Sequence, residues 1–232
     1  MHNLILWDVD ATLLQTQGLS GQAMRAAIGQ VFTDVPERER TFFSGKTDWQ
    51  IICDCFPDLS PDAIGEKLAH FKEAYVAEFQ RRYDELREKT YALPGVFSLL
   101  RSFQERGIAQ VPLTGNIAPI ARMKLDLLGM LDYLNVEAGA YGDDHYDRLQ
   151  LVPIAAKRAA HYYGYPFAGR EIVVIGDTPN DIRCGKASGT RTVAVETGPY
   201  KADDLRPYEP DAILPDLSNF GRAVAAILGN DK

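Results

Sequence analysis

Leu4-Ile5-Leu6-Trp7-Asp8-Val9-Asp10-Ala11-Thr12 is the stretch on which the reading of this chain turns. Four consecutive apolar residues suit a strand buried on both faces, and two carboxylates one residue apart follow at its end. In an extended chain the side chains alternate, so Asp8 and Asp10 return to the same side and can serve one point. Like charges that close repel each other. A divalent cation relieves the repulsion, and an oxygen-rich site of this kind suits Mg²⁺ better than a soft metal. Taken alone, the tripeptide also fits an acidic turn after a strand.

Two further strand ends change the balance. Glu171-Ile172-Val173-Val174-Ile175-Gly176 leads into Asp177, and Asp181 follows in Thr178-Pro179-Asn180-Asp181-Ile182, a loop opening into a helix. The run from Ile108 to Leu113 ends in Thr114-Gly115-Asn116, after which Pro119, Ile120, Met123, Leu127 and Leu128 carry helical spacing. Strands that finish in oxygen-bearing residues and turn into helices describe a parallel α/β sheet with its ligand crevice beyond the carboxyl ends. Pro112 sits awkwardly in one of those strands, where it cannot donate a ladder hydrogen bond; a bulge is the expected accommodation.

These motifs together resemble the haloacid dehalogenase-like (HAD) hydrolase superfamily. Its marks stand here as Asp8-Val9-Asp10-Ala11-Thr12, Leu113-Thr114-Gly115-Asn116, Arg148 and Gly176-Asp177-Thr178-Pro179-Asn180-Asp181, in the family's order. The resemblance implies a Rossmann-like α/β core with helices on both faces of a parallel sheet. Strands are expected near residues 108–113, 136–140, 171–176 and 191–195, with a short apolar segment at Ala212-Ile213-Leu214 and a last helix from about Leu217 to Leu228.

After a polar hinge, Gln15-Thr16-Gln17-Gly18, the pattern is helical to about residue 90. Ser60-Pro61 opens its clearest helix, with a stripe of Ile64, Leu68, Phe71, Tyr75, Phe79, Tyr83 and Leu86. Tyr91-Ala92-Leu93-Pro94-Gly95 reads as a return linker before a helix from Val96 to Arg106. The expected division is a core of 1–15 and 92–232 and an all-helical insert of 16–91. In the HAD family an insert at this position is a helical cap that closes over the crevice and selects the substrate.

Composition narrows the class. At 232 residues and 46% hydrophobic the chain can bury a full core, and its net charge of -7 argues against a broad nucleic-acid-binding face. No secretory signal and no membrane-length apolar run is present, so a cytoplasmic protein without membrane or nucleic-acid partners is expected. Cys53, Cys55 and Cys184 have no metal-finger spacing and read as reduced thiols.

The resemblance assigns Asp8 as the nucleophile, with one oxygen also on Mg²⁺. Asp10 becomes the general acid that protonates the leaving alkoxide and then the base that activates water, its main-chain carbonyl ligating the metal. Asp177 is the third protein ligand, and Asp181 orients metal-bound water or positively charged neighbours from behind. Helix capping is the competing reading for both later acids. Thr114 and the amides of Gly115 and Asn116 are expected to hold phosphoryl oxygens, unless they form only a turn. Arg148, ahead of a helix, is the expected phosphate-binding cation; Lys157, within that helix, is the alternative. Asp143, Asp144 and His145 read as a solvated loop, and His2, His70 and His161 form no cluster.

In the insert, Phe43-Ser44-Gly45-Lys46-Thr47-Asp48 resembles the substrate-contacting loop of phosphoglycolate-phosphatase-like members. Lys46 there can meet an anionic leaving group or simply stand in solvent beside a helix cap. Ala11 departs from the more usual D-x-D-G-T, and a positive φ at that position would strain it. The expected activity is Mg²⁺-dependent hydrolysis of a small phosphomonoester metabolite, with phosphoglycolate or a similar phosphorylated acid as the guess. A phosphosugar mutase of the same fold and a catalytically weak binding or regulatory protein are the alternatives; Asp10 favours a phosphatase over a dehalogenase, whose departing halide needs no proton.

Overall fold

The computed structural model describes residues 3–33 and 43–229. In chain order the elements are β1 (Leu4–Trp7), β2 (Leu14–Gln15), α1 (Leu19–Val31), α2 (Asp48–Cys55), α3 (Pro61–Arg81), α4 (Tyr83–Lys89) and β3 (Tyr91–Ala92). They continue with α5 (Val96–Glu105), β4 (Ala109–Pro112), α6 (Ala118–Asp126), α7 (Leu151–Tyr163), β5 (Ile172–Gly176) and α8 (Pro179–Ala187). The chain then closes through β6 (Arg191–Val195), α9 (Ala202–Leu205), β7 (Ala212–Leu214) and α10 (Phe220–Leu228).

Strand alternation explains the layering of the sheet. Ile5 and Trp7 of β1 pack on one face with Val96, Leu99 and Phe103 of α5 and Ile227 of α10. Leu4 and Leu6 point the other way, towards Ala155 and Ala159 of α7 and Cys184 of α8. Helices therefore cover both faces, and the sheet is parallel throughout, in the order β4-β1-β5-β6-β7. With β1 between β4 and β5, the ends of all three acidic or hydroxylic strands meet at one place.

The insert has a core of its own. Ile64, Leu68, Phe71, Tyr75 and Phe79 of α3 are buried against Ala23, Ala27 and Ile28 of α1 and Ile51 and Ile52 of α2. Each large side chain so buried is worth about 1.5–3 kcal/mol over its exposed state, enough to hold three helices together without a sheet. Ile117 and Ile120, at the start of α6, join this cluster and tie it to the sheet-bearing part.

Several details differ from the sequence expectation. Residues 136–140 do not form a strand: Asn135 Oδ1 accepts the amides of Glu137 (3.1 Å) and Ala138 (3.3 Å), winding Val136–Ala138 into a 3-10 turn. Only Ala140 reaches the sheet, as an isolated bridge to Leu113. Pro112 needs no bulge, because β4 is an edge strand. The Leu113 amide donates inward to Trp7 O, 2.7 Å, so the Pro112 nitrogen faces the outer edge, where no ladder partner is required.

The long helical stripe breaks at Arg82, which ends α3 and starts α4; Leu86 is buried beyond the break while Tyr83 is exposed. Where the insert leaves and returns, β2 and β3 pair antiparallel, so the expected linker at Tyr91-Ala92 is a short strand. The last helix begins at Phe220 because the Asn219 side chain caps it, accepting from the Arg222 amide at 3.1 Å.

Candidate active site

Asp8 stands one residue past β1, its amide donating to Ile175 O at 2.9 Å, and is 5% exposed. Its Oδ1 accepts from Arg148 Nη2 at 2.9 Å, and the same nitrogen also bonds Asp181 Oδ1. Asp181 is held in turn by Thr178, whose amide (3.0 Å) and hydroxyl (2.7 Å) both donate to Oδ2 in a capping box at the start of α8. Capping and support of the cation are thus one arrangement for Asp181, and the two readings of that residue are compatible.

Burial pushes the Asp8 carboxyl above its ordinary range, the nearby Asp181 charge adds to that, and Arg148 opposes both. Asp177 is pushed up by burial first, then by the charges of Asp8 and Asp181. For Arg148 the loss of solvation works against the charged form, yet Asp181 and Asp8 outweigh it and the guanidinium is held more firmly protonated. Lys157, the alternative cation, is exposed on α7.

Asp8, Asp177 and Asp181 each offer a carboxylate oxygen, and the three oxygens lie within 4.8 Å of one another. A Cβ built on Gly198 would come 1.7 Å from Asp177 Oδ2, so only a glycine there leaves the carboxylate its place. Asp181 is already satisfied by Arg148 and Thr178, which leaves Asp8 and Asp177 as the carboxylates open to a cation. Two buried, mutually repelling carboxylates with hard oxygen donors fit a divalent metal ion.

Asp10 turns elsewhere. Its Oδ2 accepts from Lys124 Nζ at 2.6 Å, and Lys124 also donates to Asn116 Oδ1 at 2.8 Å. The two acids of the first motif therefore face one cavity but answer to different cations, and the Asp10 side chain is outside the carboxylate cluster. Sequence reasoning does not single out Lys124. The signal lies in α6, where a lysine four residues after Ile120 falls on the buried side of the helix with Ala121 and Leu125.

Thr114 is buried, and its Oγ1 accepts the Asn116 amide at 3.3 Å. The Gly115 carbonyl accepts from the Asp48 amide at 2.7 Å, while Asp48 Oδ2 accepts from the Ile117 amide at 2.8 Å. Asp48, at the start of α2, thereby straps the insert to the Thr114 loop, a role the sequence did not disclose. Burial drives its carboxyl up to about 7, against the amide of Ile117 and the Lys124 charge. A Cβ on Gly115 would meet Lys46 O at 1.9 Å, so the close approach of the two loops needs glycine.

Other contacts fasten the same loop: Asn180 Nδ2 donates to Gly45 O (2.8 Å), and Thr47 Oγ1 to Tyr146 O (2.6 Å). Lys46 Nζ pairs with Asp54 at 2.6 Å. Beneath lies a cavity of about 400 Å³ whose floor carries Asp8, Asp10, Thr114, Asn116, Lys124 and Arg148. Ala11 has φ +59°, the strained case for a residue in the place of glycine.

The expected solvated loop at 143–145 is a joint instead. Asp143 accepts from the Ala118 amide at 2.9 Å and pairs with Lys72 of α3, while Asp144 binds the Arg158 guanidinium through both oxygens, 2.6 Å each. His70 and His161 are exposed and apart from the site; His2 lies outside the described residues.

A family model described as haloacid dehalogenase-like hydrolase matches residues 5–195, spanning every one of these strand ends. The chain belongs to that family. Among curated HAD-like relatives, the pyrophosphatase PpaX of Halalkalibacterium halodurans is 24% identical over 93% of this chain and 94% of its own length. The phosphoglycolate phosphatase of Escherichia coli is 28% identical over 61% of this chain and 55% of its own. In overall fold, the crystal structure of a "predicted phosphatase" from Clostridium acetobutylicum superposes with a TM-score of 0.71 at 13% identity, covering 98% of this chain and all (100%) of that one. This HAD-like protein is accordingly a hydrolase by family, and among its described residues no helix is long and apolar enough to cross a membrane.

Proposed function

We propose that the protein is a Mg²⁺-dependent phosphatase that hydrolyses a small phosphomonoester through an aspartyl-phosphate, with residues 1–15 and 92–232 as its core and 16–91 as its cap. The observation that carries this reading is the buried Asp8 carboxylate, held by Arg148 beside Asp177 at the mouth of the sheet. Names of relatives that act on phosphate compounds, a pyrophosphatase and a phosphoglycolate phosphatase, support the substrate class.

In this reading an Asp8 oxygen attacks phosphorus and the ester oxygen leaves, taking a proton from Asp10. Asp10, now ionised, removes a proton from water as that water attacks the aspartyl-phosphate, which restores Asp8, reprotonates Asp10 and releases phosphate. Arg148 neutralises the anionic oxygens that otherwise repel the nucleophile, and Asp181 keeps its guanidinium aimed. Thr114, with the amides of Gly115 and Asn116, holds the transferred oxygens at the strand-to-helix turn. Held by Asp8, Asp177 and the Asp10 main-chain carbonyl, Mg²⁺ would supply the positive charge that lets these carboxylates and a phosphate share so small a space.

Lys46 is the cap group for an anionic leaving group, exchanging its Asp54 partner for the substrate. Phosphoglycolate or a comparable phosphorylated acid is therefore the substrate class to test first. Phosphate release would be measured with and without Mg²⁺ on phosphoglycolate, pyrophosphate, hexose phosphates and an aryl phosphate. The reading expects Mg²⁺-dependent hydrolysis, highest in kcat/KM for a phosphorylated acid. Conversion of a hexose 1-phosphate to its isomer without phosphate release would point to a mutase instead, and inertness towards all of them to a binding protein.

A further inference from the structure

Lys124 is 1% exposed, on a helix face otherwise made of Ile120, Ala121 and Leu125. Burying an ammonium costs several kcal/mol, and an apolar residue of similar volume commonly serves stability as well or better. A lysine at such a position is therefore poorly explained by folding alone. Its nitrogen reaches two groups, Asp10 Oδ2 at 2.6 Å and Asn116 Oδ1 at 2.8 Å, which come from different strand ends and face the same cavity.

Asp10 needs such a tether. Its side chain is 42% exposed and stands outside the Asp8–Asp177–Asp181 cluster, and Lys124 is the cation paired with it among the described residues. Without that pairing, the Asp10 carboxylate is free to rotate about its side-chain bonds, and proton transfer demands a donor within hydrogen-bond reach of the leaving oxygen. Arg148 serves the other acids: its Nη2 donates to Asp8 and Asp181.

We propose that Lys124 is a positioning residue, which by gripping Asp10 and Asn116 from below aims the Asp10 carboxyl at the leaving-group oxygen. The proposal rests on the reading of Asp10 as the proton-transfer group. It gives the two cations separate duties, Arg148 serving the attacking side of the phosphoryl group and Lys124 the departing side.

The test is leaving-group selectivity, measured as kcat/KM, which covers steps up to formation of the aspartyl-phosphate. Phenyl phosphate and para-nitrophenyl phosphate are matched in shape, but phenoxide needs a proton to depart and nitrophenoxide scarcely does. Lys124→Met should lower kcat/KM for phenyl phosphate by about 100-fold and for the nitrophenyl ester by less than about 10-fold, in line with the usual size of general acid catalysis. Lys124→Gln, which keeps N–H donors for Asp10 and Asn116, should recover part of the phenyl phosphate rate and stands in should the Met variant not fold. A purely structural lysine would depress both substrates equally, and that result overturns the proposal. Asp10→Asn serves as the control. If it shows the selectivity and the Lys124 variants do not, Lys124 has no positioning role; if Asp10→Asn shows none, the assignment of Asp10 itself fails and the proposal with it.

Discussion

Arg148 and Asp8 are 140 positions apart in the chain, and the guanidinium Nη2 lies 2.9 Å from the Asp8 Oδ1. That pairing fixes the direction of the buried carboxylate and opposes the burial that raises its proton affinity, both of which a nucleophile needs. Asp8→Asn preserves shape and removes the nucleophilic charge, so phosphate release should fall by at least about 1,000-fold, with the circular-dichroism spectrum unchanged. Turnover within about tenfold of the parent protein would remove Asp8 from the nucleophilic role.

Metal-free protein should lose stability as pH rises from the ordinary carboxylate range. Asp8, Asp48 and Asp177 all have folded-state values raised above the unfolded ones, so the folded form binds their protons more tightly. Their contribution is fully present below the unfolded value and is lost as pH climbs through the folded values, about 7 for Asp48. In the proposed reading Mg²⁺ would bind the ionised forms of Asp8 and Asp177, so its effect on the melting temperature should be larger near about pH 8 than near about pH 5. Melting curves with Mg²⁺ and with a chelator check this, and an equal shift at both pH values would contradict it.

Asp48 isolates the same argument at one residue. Asp48→Asn keeps an oxygen for the Ile117 amide while removing a charge that burial disfavours. The rise of its carboxyl from 3.8 to about 7 bounds the gain. At about 1.4 kcal/mol per pKa unit, that is at most on the order of 4 kcal/mol. Asn should therefore stabilise the protein near about pH 8 and do little near about pH 4, where Asp48 is neutral in the folded state. Denaturant titrations at the two pH values decide it; stabilisation that does not grow with pH counts against a buried charge at this position.

Ala11 at φ +59° carries the left-handed strain that glycine avoids, roughly 1–2 kcal/mol. Part of that is returned by the larger entropy a glycine loses on folding, so Ala11→Gly should stabilise by about 0.5–1 kcal/mol, a rise of about 1–4 °C in melting temperature. A fall in melting temperature would show that the Ala11 methyl makes contacts worth more than the strain.

Much of the site is legible in the sequence because its marks are local. Asp8, Thr114 and Asp177 each follow an apolar run, and a strand that ends in a polar residue announces where its side chain must emerge. Arg148 stands out over Lys157 by its place before a helix, and it is the one found on Asp8. The turn at 136–138 escapes such reading because a short apolar stretch fits a strand or a turn equally well, and a side-chain amide at Asn135 decides between them. Pro112 looks improper only until the strand order puts β4 at the sheet edge.

From its letters alone this chain declared a parallel α/β core, a helical insert and the strand ends that carry acids, because alternation and helical spacing are written within a few residues. Tertiary structure decided which cation each acid meets. Lys124 reaches Asp10 across 114 positions and Asp48 reaches Ile117 across 69, and nothing in the intervening sequence encodes such distances. Only the packing of α6 beneath the cavity and of α2 against the Thr114 loop brings those groups within hydrogen-bond reach, because side-chain contact depends on where whole elements settle against a common core.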